Sequence, residues 1–283
     1  MVTNPPLRRD LHFNIEGVDL KHWHQSGAMV GHFMNALSLF FPEGERFFIE
    51  SVRNYRSRVS DPKLQREITG FIGQEAMHGR EHDRYNTALM EAGLPARQLE
   101  RLVTRHIVGF FRRFPKIVQL AITIGLEHFT AILADLLLTD DRFVAGDHRM
   151  VSLWRWHALE ETEHKAVAFD VYREVMGRTL SGYLIRTFTF VFVFAGFMSW
   201  LLYFHLRLIA ADKSARGWAQ LRSLCSFLFG GFGFFRRIAI PWLSYFRPNF
   251  HPWDHDNHLL LSEFDTLVAK VERDTLTEAG AIA

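Results

Sequence analysis

Two Glu-x-x-His motifs, Glu75-Ala-Met-His78 and Glu161-Thr-Glu-His164, each follow a lone glutamate in a helical stretch, Glu45 and Glu127 respectively. A glutamate from each of two helices plus a Glu-x-x-His from each of two others is the constellation that holds a pair of metal ions inside a four-helix bundle. Count alone does not establish it, because 17 glutamates and 15 histidines in 283 residues give about one such motif by chance.

Helical phase and depth supply the context. Leu64, Ile68, Phe71, Glu75, His78, His82, Tyr85 and Leu89 advance in steps of three and four, which puts the motif on an apolar stripe facing a core. Trp154, His157, Glu161, His164, Ala168, Val171 and Val175 do the same. Ile117, Leu120, Ile124, Glu127, Ala131, Ala134 and Leu138 carry one carboxylate among apolar residues. Burying ionised carboxylates costs several kcal/mol each unless they are paired or bind metal, so such a core requires a shared cation. Asp61-Pro62 reads as the start of a helix that runs to Gly93-Leu94-Pro95, with the preceding turn near Val59 and Ser60. Glu45 and Glu75 then each lie about 15 residues from that turn, roughly 22 Å at 1.5 Å per residue, whereas Glu50 falls roughly 7 Å out of register. Glu45 is therefore the expected ligand, on the stripe Phe41, Glu45, Phe48, Val52, Tyr55. The turn from Thr139 through Asp147 separates Glu127 and Glu161 by similar lengths of helix. The expected metal ligands are Glu45, Glu75, His78, Glu127, Glu161 and His164.

Over roughly residues 42 to 176 this pattern resembles the ferritin-like di-iron carboxylate proteins, such as the ribonucleotide reductase small subunit and bacterial multicomponent monooxygenases. The segments Gly73-Gln74-Glu75-Ala76-Met77-His78-Gly79-Arg80-Glu81-His82 and Trp156-His157-Ala158-Leu159-Glu160-Glu161-Thr162-Glu163-His164-Lys165 resemble more closely a bacterial family of predicted metal-dependent hydrolases. That resemblance extends over nearly the whole chain, including Phe250-His251-Pro252-Trp253-Asp254-His255. It implies hydrolysis. In the di-iron oxygenases an aspartate often precedes each motif and orients the opposite histidine; here Gln74 and Glu160 stand in those places.

Several neighbours have two readings. His82 and His157, one turn from the motifs, are candidates for extra nitrogen ligands or acid/base groups, or are core histidines satisfied by carboxylates. Glu81, Asp83, Glu160 and Glu163 fall off the stripe or at its edge and read as a solvated face or as support for the ligands. His128 points about 100° from Glu127 and reads as structural. His22, His24 and His32 lie in residues 11 to 40, expected as a helix over the bundle. His251, Asp254 and His255 read as part of a structural anchor before a helix from Leu259 to Arg273.

Four carboxylates and two imidazoles without thiolate suit two metal ions, iron first and manganese second; the lone Cys225 excludes thiolate zinc sites and a disulfide framework. The expected function is oxidation of a hydrophobic, acyl-chain-like substrate with O2 (hydroxylation, desaturation or a related oxidation), drawing on an external electron donor that no sequence feature identifies. The alternative is metal-dependent hydrolysis through a metal-bound hydroxide. Iron storage fits poorly, because more than 100 residues follow Glu174, whereas storage cages use bundles with little appended chain.

A net charge of +2, with no basic run, gives no footprint for nucleic acid. No apolar run follows the N-terminal basic pair, so no secretory signal is expected and the location expected is cytoplasmic. Thr187 to Phe204 is uncharged and reaches the lower length for a membrane span. Arginines and lysines lie on every side of it, which favours an in-plane or re-entrant arrangement, peripheral or monotopic at the inner membrane, over a full crossing. A buried helix is the competing reading. A second apolar stretch, Ser223 to Phe235, is broken by glycines. The expected architecture is all-α: a ferritin-like four-helix bundle with an extra N-terminal helix over residues 1–180, and a hydrophobic helical extension over 181–283. A homo-oligomer is compatible with all of this.

Overall fold

An extended N-terminal segment leads into α1 (Ala28–Ser38) and α2 (Phe41–Arg53), where Pro42 occupies the first turn and needs no N–H partner. The next start is set by Asp61, whose side chain accepts from the Lys63 N–H and, with Pro62, opens α3 (Pro62–Glu91). After α4 (Ala96–Leu102) the chain passes through a π-helical stretch, Val103–Val108, into the short α5 (Gly109–Phe111). Next come α6 (Lys116–Thr139) and α7 (His148–His164), the latter capped by Asp147 on the Arg149 N–H. The remainder is α8 (Val167–Met176), α9 (Leu180–Ala211), α10 (Trp218–Phe229), α11 (Phe234–Ser244) and α12 (Phe264–Ala281). This computed structural model describes residues 5–281, with side chains through residue 273, and no strand forms among them.

The expected all-α fold is present. One hairpin pairs α2 with α3, another pairs α6 with α7 and α8, and the two close on each other through α2–α6, α3–α7 and α3–α8 contacts. The fourth stripe runs from Trp154 to Val175 as the sequence predicts, but the helix carrying it breaks at Lys165-Ala166, directly after His164. Periodicity misses the break because the apolar phase resumes beyond it. Lys165 is buried there, its Nζ donating to His255 O and Asn257 Oδ1, each at 2.7 Å, and lying over the Trp253 ring. The aromatic loop around Trp253 thus acts as the expected anchor, with His251 on Asp170 and His255 on Asp135. The helix expected after it begins at Phe264, preceded by a 3-10 stretch, His258–Glu263.

The N-terminal expectation needs correction. Only Ala28–Ser38 of residues 11–40 is an α-helix, and the chain before it is largely extended. Its histidines are structural: His24 Nε2 bonds the Phe143 carbonyl and His32 Nε2 bonds Asp212. The segment is fixed across α3 and α7 by polar contacts, Gln74 and Arg80 donating to the Leu7 and Leu11 carbonyls, and by Phe13 against Trp156.

The phenylalanine-rich run lies inside α9 and is helical throughout. One face, with Phe190, Val193, Leu201, Phe204 and Leu208, is buried on α6 and α1. Gly125 of α6 makes this possible, since a Cβ there would stand 3.1 Å from the Phe190 ring. Leu184, Phe188, Val191, Phe192, Leu202 and Leu206 face outward. Three stretches are long and apolar enough to cross a membrane. Lys116–Thr139 has 72% of its apolar window buried in the bundle, but Leu180–Ala211 and Trp218–Ser244 only 28% each, compatible with membrane association.

Candidate metal centre

Because α2, α3, α6 and α7 meet with their stripes facing inward, Glu45, Glu75, His78, Glu127, Glu161 and His164 converge in the core, none more than 2% exposed. Of the two glutamates of α2, Glu45 faces the core, whereas Glu50 is on the surface, paired with Arg112 at 2.8 Å. His164 Nε2 lies 3.1 Å from Glu75 Oε1, 3.6 Å from Glu127 Oε2 and 3.7 Å from Glu161 Oε1. His78 Nδ1 lies 3.6 Å from Glu161 Oε1, and His157 Nε2 lies 3.1 Å from the same oxygen. Three groupings have ligand atoms all within 4.8 Å of one another and can hold a metal ion: Glu75, Glu127 and His164; Glu75, His78 and Glu161; Glu45, His78 and His157.

Neither oxygen of Glu45, Glu75 or Glu127 has an aligned hydrogen-bond partner, nor does Nε2 of His157 or His164. The 3.1 Å approaches are therefore close but off-axis, with donor atoms facing a common space instead of bonding one another. Two ligand atoms about 2.1 Å from one ion and at right angles are about 3 Å apart, so the spacing fits coordination. Buried polar groups are almost always satisfied, and this many donor atoms without partners in one place fit the binding of a cation among them.

Hydrogen bonding assigns which nitrogens face the centre. Asn86 Nδ2 donates to Glu100 Oε1 and to the Ser38 carbonyl, which leaves Asn86 Oδ1 to accept the Ser38 hydroxyl proton at 2.8 Å. Ser38 Oγ must then accept from His82 Nδ1, also at 2.8 Å, and a neutral His82 presents its Nε2 lone pair to His157 Nδ1–H at 2.9 Å. The lone pair of a neutral His157 therefore points from Nε2 into the centre. His82 stands one step behind the centre, while His157 belongs to a ligand grouping.

Gln74 Oε1 accepts from His164 Nδ1 at 2.9 Å, leaving Nε2 to face the carboxylates. Glu160 Oε2 lies 3.1 Å from His78 Nε2 without an aligned hydrogen bond, and neither ring nitrogen of His78 has a partner. The residues preceding the two motifs thus contact the opposite histidines across the bundle, one as a neutral amide and one as an acid. Of the two readings given to Glu81 and Glu160, the solvated face is excluded, since both are fully buried. Arg9 explains how Glu160 is tolerated: its Nη1 lies 3.2 Å from Glu160 and 2.8 Å from Glu163. Burial still pushes the Glu160 carboxyl up to about 8, against the pull of Arg9. Glu81 accepts from the Phe13 N–H and pairs with Arg80. His128 is structural, bonded to the Pro241 carbonyl at 3.2 Å.

Without a cation the centre stores protons. Burial, reinforced by neighbouring carboxylates, pushes Glu45 and Glu127 well above the usual range, and burial pushes Glu75 to about 7. Burial drives His78 well below the usual imidazole range. Burial also opposes charge on Glu161 and His164, but their mutual attraction prevails, holding the carboxyl low and the imidazole high.

Periodicity could not reveal three further contributors. Thr130 donates its hydroxyl to Glu161 Oε2 from one turn beyond Glu127. Gly79 leaves room for Glu45, since a Cβ there would sit 3.2 Å from Glu45 Oε2. Arg9 acts from a segment with no helical period. A lone small residue directly after a motif histidine was the one visible hint.

Fold and site together define a helical-bundle protein with a buried carboxylate and histidine centre able to hold metal ions. The chain belongs to the family described as predicted metal-dependent hydrolase, whose model matches residues 7–256. No curated protein and no solved structure matches it.

Proposed function

We propose that this metal-dependent enzyme is a ferritin-like two-metal protein, with iron resident, that oxidises an apolar substrate at a membrane surface. The observation that carries this reading is the fully buried, hydrogen-bond-orphaned set of carboxylates and imidazoles facing apolar space. Glu45, Glu75, His78, Glu127, His157, Glu161 and His164 would hold the metal, Glu75 falling in two of the three groupings and Glu161 lying close to all three histidines. Iron held there would supply the redox chemistry with O2, for which an external electron donor would be needed. Thr130 holds one oxygen of Glu161, Gln74 fixes the face of His164, and Glu160 lies against His78. A small apolar cavity of about 30 Å³ beside Glu161 and His157, lined by Leu37, Leu133 and Trp154, suits an apolar gas better than water. The outward faces of α9, α10 and α11 are suited to a membrane surface.

Hydrolysis is the second reading, favoured by the family description and by a cleft, edged by the charged Arg46, Arg80 and Asp83, that reaches Glu75. Anaerobic iron(II) titration followed by O2 separates the two. Two irons per chain, O2 uptake and a new optical charge-transfer band are expected; ester or phosphoester turnover without O2 establishes hydrolysis instead. Metal content well below one per chain, or unchanged metal in Glu161→Ala, removes the centre itself.

A further inference from the structure

A second, larger cavity of about 160 Å³ lies between α2, α6, α9 and the π-helical stretch. Its inner end is lined by Glu45 and by Thr130, the residue bonded to Glu161. Its outer end is lined by His106, Phe110, Phe192 and Gly196, all exposed. Phe192 also belongs to the outward apolar stripe of α9 that includes Leu184, Phe188 and Leu206. The cavity therefore joins the metal centre to the most lipid-like face of the molecule. The Phe110 and Phe192 rings, 6.5 Å apart, stand at the junction of the π-helical arm and α9. Irregular π turns occur often at functional sites, and this one borders the opening.

Two glycines indicate that the space is retained as space. Gly44 and Gly196 both line the cavity, and a Cβ added to either meets nothing within 4 Å. Glycine is a poor helix former, and at these positions no neighbouring atom requires it; what its bareness provides is room. The volume is comparable to apolar cavities that stay dry and admit a benzene-sized ligand.

We propose that this cavity binds a segment of about six carbons of the hydrocarbon chain of a fatty acyl amphiphile, which enters sideways from the lipid phase between α9 and the π-helical arm and presents a methylene to the metal centre. An apolar solute arriving from water would not need an opening on an apolar stripe, and a phosphoester would meet no arginine or lysine among the lining residues. The site's catalytic meaning rests on the two-metal reading; its occupancy does not.

The test is binding of a fluorescent polyene fatty acid to the full-length, metal-loaded chain, competed by palmitate and by naphthalene. Gly196→Leu and, on the facing wall, Ile107→Trp fill the space. Each is expected to weaken fatty-acid binding by about tenfold or more, with metal content and melting temperature unchanged. Wild-type affinity in both variants overturns the proposal, as does naphthalene binding without fatty-acid binding. If one variant loses its fold, the other decides. Metal content and O2 uptake of the same samples test the centre separately, so chain binding without metal refutes the centre and leaves this site standing.

Discussion

A carboxyl group cut off from water keeps its proton until a cation displaces it. Glu45 and Glu127 lie well above the usual range and Glu75 near 7, all through burial. At pH 7 the metal-free centre therefore carries protons that ordinary exposed carboxylates would have lost below pH 5, and metal must displace them. Affinity is expected to rise with pH through 7 and to fall on acidification. Calorimetric metal titration at pH 7 in two buffers of different ionisation heat measures the protons released; none released contradicts the assignment. Gly79 offers a test with opposite signs. Gly79→Ala favours the helix by up to about 1 kcal/mol, yet it crowds Glu45 Oε2. The metal-free variant should melt no lower than wild type while binding metal more weakly; equal affinity means Glu45 does not coordinate. At this scale the sequence spoke clearly where depth from a turn could be counted, which is why Glu45 could be told from Glu50 as the core glutamate of α2. It was silent on Thr130, because a hydroxyl beside an acid has no spacing rule to mark it.

The extended N-terminal segment shows why some elements cannot be read from periodicity. It follows no repeat, yet it brings Arg9 to Glu160 and Glu163 and places Phe13 on Trp156. The order of the helices, the cap at Asp61 and the turn ending at Asp147 were legible because capping and phase are local. The break after His164 was not, because its cause is tertiary, the tether of Lys165 to the loop at His255 and Asn257. Arg9→Met tests the segment. It leaves Glu160 buried without its cation, and since the Arg9 side chain is 17% exposed, the expected loss is about 1–3 kcal/mol, below that of a fully buried pair. Metal binding should also weaken, because Glu160 touches His78. Arg8→Met, one residue away on an exposed side chain, should change stability by less than about 0.5 kcal/mol. Equal effects in thermal melts of the two variants would refute this role for Arg9.

Across the whole molecule, stretches of similar hydropathy meet different fates, and hydropathy alone cannot tell them apart because it does not say what covers a helix. Lys116–Thr139 is enclosed by α2, α7, α8 and α9, so its apolar surface serves the core. α9 packs one face on that core and leaves the other bare, with Phe188 71% and Leu206 55% exposed; Ile240 of α11 is 79% exposed. The hydrophobic core nonetheless continues from the bundle into α9 and on to Tyr245 and Phe250, so the exposed stripe is held on a rigid support. A bare stripe of this kind, flanked by basic residues, should bind anionic vesicles through apolar insertion with an added salt-sensitive attraction. The double variant Phe188→Ser/Leu206→Ser is expected to reduce flotation with such vesicles several-fold while its melting temperature stays at the wild-type value. Phe190→Ser, two residues along but on the packed face, should instead destabilise the fold by about 3–5 kcal/mol. If the double variant floats as well as wild type, or if wild type fails to float at low salt, the outward face is not a membrane surface, and the fatty acyl substrate must reach Phe192 by another carrier.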